Sequence, residues 1–221
     1  MGTSNSCLNL SYQNARSPNI EQILTFHDWL MVLILSIRSA TLWAIFKVGR
    51  RQWLYRSLTE SQRVEIAWTL IPTVSLLMIG LPSLRLLYLF DVDSNPSVMI
   101  KALGNQWYWQ YDYADSSSYD SYLKRREYRL LDSDNRVIVP CSIPVQILIT
   151  AADVLHSWTV PTMGVKADAV PGRINKVTMV PSRPGAYYGQ CSEICGSNHR
   201  FMPISMECHI FNRKFYFESR K

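Results

Sequence analysis

Two long apolar stretches open the chain, and a run of short ones follows. Residues 29–46 are apolar except for Arg38 and a few small polar groups. Ile66 to Leu84 gives nineteen residues without a charge, and Leu86–Phe90 extends it. A helix needs about 20 apolar residues to cross the hydrocarbon core of a bilayer. Both stretches meet that length, so the pattern predicts transmembrane helices over about 26–48 and 64–90. Pro72 and Pro82 fall inside the second, which membrane helices tolerate when neighbouring groups re-satisfy the backbone. Beyond Phe90 the period changes. Short apolar runs recur between turn signals at Val98–Leu103, Trp107–Tyr113, Arg136–Val139, Val145–Thr150, Asn175–Val180, Gly185–Tyr188 and Ile204–Phe211. Such spacing predicts an all-β sandwich or barrel. Pro140, Pro144, Pro161, Pro171, Pro181 and Pro184 punctuate the runs and exclude long helices there. The expected organisation is an N-terminal arm (1–25), a helical hairpin (26–92) and a β-domain (93–221).

Charge refines this picture. The net charge is +6, but it is not spread as a nucleic-acid groove would need. Residues 38–63 carry six basic groups (Arg38, Lys47, Arg50, Arg51, Arg56, Arg63) against Glu60 alone. Residues 91–123 carry Asp91, Asp93, Asp112, Asp115 and Asp120 against Lys101. A basic loop between two apolar spans stays on the cytoplasmic-type face, the matrix in a mitochondrion. Both termini and the β-domain then lie on the opposite face, with membrane lipid as a partner and no role for nucleic acid. Arg38 is the anomaly, since a lone Arg near a helix centre costs about 2.5–3.5 kcal/mol on insertion scales. We expect it to face protein rather than lipid. Residues 1–19 carry no basic start leading into a short apolar core, so no signal peptide is expected.

The chemistry concentrates near the C-terminus. In Cys191-Ser-Glu-Ile-Cys195-Gly-Ser-Asn-His199-Arg-Phe-Met202, two thiols, an imidazole and a thioether recur at intervals of four, four and three. This soft donor set favours copper over magnesium or calcium. It has one Cys too many for a mononuclear blue-copper site and lacks a second His. His156, in Asp153-Val-Leu-His156-Ser-Trp158, follows the strand-like run Val145–Thr150 and is the best candidate to complete it. Two thiolates could then hold two copper ions with one His on each. Met202 would complete one ion and the backbone carbonyl of Glu193 the other. A zinc site from His156, Cys191, Cys195 and His199 is an alternative, as is a Cys191–Cys195 disulfide in an oxidising compartment. Zinc leaves Met202 without a role, and a disulfide leaves both His without one. Five Cys are too few for a disulfide scaffold. Cys141 and Cys208 read as small packing residues in strands, and Cys7 lies in a terminal segment.

Tyr187-Tyr-Gly-Gln-Cys-Ser-Glu-Ile-Cys-Gly-Ser-Asn-His199, together with Val154-Leu-His-Ser-Trp158, resembles the dinuclear copper domain of cytochrome c oxidase subunit 2. The resemblance covers most of residues 17–210. It implies a membrane α + β protein, with a two-helix transmembrane hairpin followed by a cupredoxin-like Greek-key β-barrel. It implies a chain that takes electrons from cytochrome c and passes them to a haem-copper catalytic subunit 1, which reduces oxygen to water beside other oxidase subunits. In that frame Trp107, within Gly104-Asn-Gln-Trp107-Tyr-Trp109, is the exposed residue of electron input. Asn105 departs from the His usual at its position. Asp112, Asp115 and Asp120 could steer a basic partner such as cytochrome c. The Glu193 side chain would ligate a magnesium ion at the boundary with the catalytic subunit. Asp168 and Arg173 resemble a loop at the same interface. Asp153, Trp158 and Arg200 are candidates to orient the ligands. Glu65, in Val64-Glu65-x-x-Trp68-Thr-x-x-Pro72, resembles the entrance of a proton path, though a carboxylate at a helix N-terminus is favourable on its own account. The lack of a signal peptide points to the mitochondrial inner membrane, with the copper domain in the intermembrane space.

Three rival readings share parts of this pattern. A soluble copper-domain reductase would keep the ligands and lack the hairpin. A copper-free quinol-oxidase-type subunit would keep the hairpin and lose the ligands. A zinc-stabilised interaction domain would keep Cys and His alone.

Overall fold

The computed structural model describes residues 12–50, 59–90, 95–113, 118–124 and 128–210. They form two units. One holds the N-terminal segment to Glu21 together with the chain from Asp93, and the other holds Gln22–Val92.

The helical unit contains α1 (Pro18–Arg50) from Gln22 onward, and α2 (Gln62–Phe90). At about 1.5 Å per residue they are roughly 50 and 44 Å long, longer than the hydrocarbon core of about 30 Å. Within α2 no described residue is buried, and Leu77, Leu81, Leu84 and Tyr88 are all exposed. A helix that is apolar all round suits lipid rather than water. Several hydroxyls turn inward on their own helices. Ser36 donates to the Val32 carbonyl, Thr41 to Ile37, Thr69 to Glu65, Thr73 to Thr69 and Ser75 to Ile71. Those side chains therefore need no partner in an apolar medium.

The helix α1 begins at Pro18, inside the segment expected to be an irregular arm. Ser17 and Pro18 explain the earlier start. The Ser17 hydroxyl accepts from the Ile20 amide at 3.4 Å, and Pro at the first helical position has no N–H to leave unpaired. The same hydroxyl donates to the Met163 carbonyl at 2.6 Å. The Arg16 amide donates to Thr162 O at 3.1 Å, and its carbonyl accepts from the Ser182 amide at 2.8 Å. Ile20 is buried against Gly164, whose φ of +65° and lack of a Cβ let the two backbones meet. Residues 16–20 are thus part of the β-domain's packing.

Among the described residues that domain has ten strands. They are β1 (Val98–Asn105), β2 (Tyr108–Tyr113), β3 (Tyr119–Ser121), β4 (Val137–Pro140), β5 (Val145–Ala151), β6 (His156–Val160), β7 (Val165–Ala169), β8 (Asn175–Met179), β9 (Gly185–Gln190) and β10 (Pro203–His209). One sheet has the order β3-β2-β1-β5-β8, a second β4-β10-β9, and β6-β7 form a pair. β1 runs parallel to β5, and β10 parallel to β4. The alternation expected for half-buried strands is present. In β2, Trp109, Tyr111 and Tyr113 face inward while Tyr108, Gln110 and Asp112 do not. Ile100, Ala102, Ile147, Ile149, Trp158, Ile204 and Met206 complete the centre of the core.

The seven expected strands all form. Three more, β3, β6 and β7, were not expected. Phe211, the expected end of the last run, lies outside the described residues, as does Cys7. The expectation for Cys141 and Cys208 is corrected. They are joined as a disulfide, with Cα atoms 5.6 Å apart. The physical reason is topology. The parallel β4–β10 pairing sets Val139 opposite Cys208, and the Cys141 amide then donates to the His209 carbonyl at 2.8 Å. Residues far apart in sequence are thereby brought side by side.

Candidate metal centre

Two loops build the site. The first links β5 to β6 and delivers His156. Asp153 organises it. Its Oδ1 accepts from the Val154 amide at 2.6 Å and from His156 Nε2 at 2.9 Å. With Nε2–H donated to a carboxylate, Nδ1 keeps its lone pair, the arrangement that metal-binding His commonly shows. Nδ1 lies 3.9 Å from Cys191 Sγ. The ring is fully buried. Trp109 approaches it edge-on, with centroids 5.9 Å apart. On β1, Gly104 leaves room for it, because a Cβ there would stand 2.9 Å from His156 Cδ2.

The second loop links β9 to β10 and carries Cys191 through Met202. Its base is closed by the Cys191 amide donating to the Met202 carbonyl at 3.4 Å. The Ser192 amide donates to Ser157 O at 3.1 Å, which ties this loop to β6 beside His156. Cys191 Sγ lies 3.4 Å from the Glu193 carbonyl. Cys195 Sγ lies 3.5 Å from His199 Nδ1 and 3.4 Å from Met202 Sδ. The donor atoms of His156, Cys191 and Cys195 are all within 4.8 Å of one another. Both Cys are free thiols, so the alternative disulfide between them does not form. The expected donors therefore converge on two sulfurs: two imidazole nitrogens, a thioether and a carbonyl. A four-donor zinc site would leave the thioether and the carbonyl unused.

Electrostatics favour a cation here. Burial raises the pKa of Cys191, but the His156 ring and nearby backbone groups outweigh it and leave the thiol below its usual value. Burial, and then the charge of Cys191, push Cys195 up to about 12. For His156, burial lowers the pKa, but Cys191 and Asp153 together raise it. Asp153 is lowered, since the His156 bond and the two backbone amides overcome its burial. The Cys191 thiol is thus the more acidic of the two, and the Cys195 thiol holds its proton more tightly. A soft cation held by Cys191 and Cys195 would supply the charge that removes the second proton.

Residues 98–209 match the family model of the cytochrome c oxidase subunit II periplasmic domain, and residues 5–86 match that of its transmembrane domain. The chain belongs to the cytochrome c oxidase subunit II family. The periplasmic domain of subunit II from the cytochrome oxidase of Bradyrhizobium japonicum is 38% identical to it. That match covers 58% of this chain and 96% of the other, with a TM-score of 0.56. A subunit II domain caught in a mixed-disulfide intermediate with a thioredoxin-like protein is 39% identical. There 58% of this chain and 90% of the other are covered, with a TM-score of 0.50. The β-domain is accordingly the cupredoxin-like domain of that family, and the two long helices are its transmembrane element. The His156, Cys191 and Cys195 cluster fits copper.

The remaining expected residues fall in several places. Trp107 is half-buried, with its indole against Gly196, where a Cβ would come 3.2 Å from Cζ2. Asp112 pairs with Lys101 across β1–β2 at 3.6 Å. Asp120 accepts from the Tyr122 hydroxyl at 3.5 Å. Asp115 lies outside the described residues. The Glu193 side chain is half-buried. Asp168 and Arg173 are exposed, and so is Arg200, whose guanidinium lies over the Phe201 ring. Trp158 is a core residue donating to the Tyr111 hydroxyl at 3.3 Å. Asn105 donates to Leu103 O at 3.4 Å. Glu65 sits in the first turn of α2, and Arg38 is on the exposed surface of α1.

Sequence reasoning missed Gly104, Gly196, Gln106 and Ile194. Ile194, between the two thiols, is 82% exposed. The glycines carried a readable signal, since a Gly inside a strand often marks a close approach.

Proposed function

We propose that this chain is the electron-input subunit of a cytochrome c oxidase, with a dinuclear copper centre held by His156, Cys191, Cys195, His199, Met202 and the Glu193 carbonyl. The observation that carries this reading is the convergence of two thiols, two Nδ1 atoms, a thioether and a backbone carbonyl within one loop pair. A copper pair supplies a centre that takes up and gives back one electron. The protein's part is rigidity. The two loops are hydrogen-bonded to each other through Ser192 and Ser157. The His156 ring is locked between Asp153, Trp109 and Gly104. Rigid ligands change little between redox states, which keeps reorganisation small. Both thiols must be reduced to take copper, so a thioredoxin-like reductant, of the kind joined to the relative in its mixed disulfide, would serve this chain too.

Trp107 receives the electron from cytochrome c, and Asp112, Asp115 and Asp120 favour the approach of a basic partner. The Glu193 carboxylate contributes to a magnesium site at the boundary with the haem-copper catalytic subunit, where oxygen is reduced to water. Glu65 stands at the entrance of a proton path in that subunit. The membrane is the mitochondrial inner membrane, with both termini and the copper domain in the intermembrane space. The Cys141–Cys208 disulfide supports an oxidising side for this domain.

The test is stopped-flow mixing of the copper-loaded full chain with reduced cytochrome c. We expect a second-order rate that falls as salt rises, and a Trp107→Phe variant that loads copper normally but accepts electrons far more slowly. A salt-independent rate together with an unimpaired Trp107→Phe would contradict the proposal.

A further inference from the structure

Gln106 and Trp107 form the two-residue tip between β1 and β2. This tip is fastened to both metal-site loops by one residue. The Gln106 amide donates to Asp153 Oδ2 at 2.7 Å, and Asp153 Oδ1 holds His156 Nε2 at 2.9 Å. The Gln106 side-chain Nε2 donates to the Cys195 carbonyl at 2.7 Å. Three segments distant in sequence, at 106, 153–156 and 195, therefore form one hydrogen-bonded chain. Glycines allow the approach. Gly104 lies against the His156 ring, and its carbonyl accepts from the Ala152 amide at 3.0 Å. Gly196, at φ +125°, would place a Cβ 3.2 Å from Gln106 Nε2.

We infer that Gln106 is a positioning residue for electron input. It clamps the Trp107 turn to the Cys195 backbone on one side and to the His156–Asp153 pair on the other. This rests on the copper reading proposed above. Gln106 is neither oxidised nor reduced, because the electron leaving the haem protein is the one the centre gains. What the clamp fixes is the distance and contact between the indole and the ligand loop. The geometry is specific to an amide. The side chain must be a neutral donor long enough to reach the Cys195 carbonyl, which excludes Glu and Asn. Gln106 is itself exposed, so the bond competes with water and its loss loosens the turn without unfolding the domain.

The test uses the full chain carrying fluorotryptophan, with the Trp107 resonance assigned from Trp107→Phe. Gln106→Met keeps length and volume and removes the donor. In the copper-free chain we expect the Trp107 fluorine signal to shift and narrow, as a ring freed from Gly196 would, while the other indole signals stay in place. In the copper-loaded chain we expect electron input from reduced cytochrome c to slow about tenfold, with the affinity for cytochrome c within twofold of the unmodified chain. A Gln106→Met chain with an unchanged Trp107 signal and an unchanged rate overturns the proposal. If that variant does not fold, the unmodified chain decides. The side-chain amide protons of Gln106 must exchange more slowly than those of a solvated Gln, and free exchange overturns the clamp. The fluorine and exchange results do not depend on metal. A chain that fails to bind copper would refute the copper reading while leaving these two readouts to judge the clamp.

Discussion

Gly104→Ala probes how rigidly His156 is held. An added Cβ would stand 2.9 Å from His156 Cδ2, 3.0 Å from Cγ and 3.1 Å from Cβ. Carbon atoms pack best at about 3.5–4.0 Å, so the ring or the strand must give by roughly half an ångström or more. The ring has little freedom to do so. It is fully buried, its Nε2 is bound to Asp153, and Trp109 meets it edge-on. The other option is to displace β1, which is paired with β2 on one side and β5 on the other. Overpacking of this kind costs about 1–3 kcal/mol, or a melting shift of about 3–10 °C for a domain of this size. Whatever part of the clash the ring takes up turns it about its bond to Asp153 and moves Nδ1 relative to Cys191 Sγ. Copper affinity should then fall by about 10–100-fold, as it does when a ligand loses its orientation. The assay is a near-UV circular dichroism melt of the copper-free full chain, followed by copper titration against a chelator. A variant whose melt lies within about 1 °C of the parent and whose copper affinity is unchanged would refute the claim that His156 is locked.

Three further predictions concern the site and the β-domain that carries it. In the copper-free chain the Asp153–His156 pair should stabilise a window of pH. The lowered Asp153 contributes above its ordinary 3.8 and loses that contribution as pH falls through its folded value. The raised His156 contributes fully below 6.5 and loses it as pH rises through its folded value. Melting temperature against pH should therefore peak between those values relative to Asp153→Ala, and identical profiles for the two chains would sink this reading. Copper loading around neutral pH should release at least one proton, because the Cys195 thiol is pushed up to about 12 in the metal-free chain. Calorimetry in two buffers of different ionisation enthalpy measures this, and zero release would contradict the paired-thiol electrostatics. Breaking the Cys141–Cys208 disulfide, which spans 67 residues, should cost about 4 kcal/mol by the loop-entropy estimate. Cys141 and Cys208 should resist alkylation in the unfolded chain until a reductant is added, and immediate labelling of both would show that no bond exists.

Much of the centre was legible because its donors are close in sequence. Cys191, Cys195, His199 and Met202 share one loop, so residue type and spacing expose them directly. His156 could be inferred from the shortage of a second imidazole and from the apolar run preceding it. The three unexpected strands were obscured for definable reasons. β6 and β7 are a short pair around Pro161 and Gly164, where turn residues mask the alternation. β3 is only three residues long. The start of α1 was signalled by Ser17-Pro18, but the apolar run that guided the expectation begins later, because the first turn faces the β-domain instead of lipid. The Cys141–Cys208 pairing and the Gln106 bonds depend on the parallel β4–β10 register and on how the β1–β2 tip meets the ligand loop. Such contacts are decided by packing between distant segments, and no local pattern announces them.

We propose that two metal ions share this one loop pair. The most direct measurement is metal content and EPR of the full chain, reduced and then offered copper and zinc together. We predict two coppers per chain, no stoichiometric zinc, and an EPR signal in which the unpaired electron is spread over two copper nuclei. One tightly held zinc and no copper signal, or a signal from a single copper nucleus, would contradict the account.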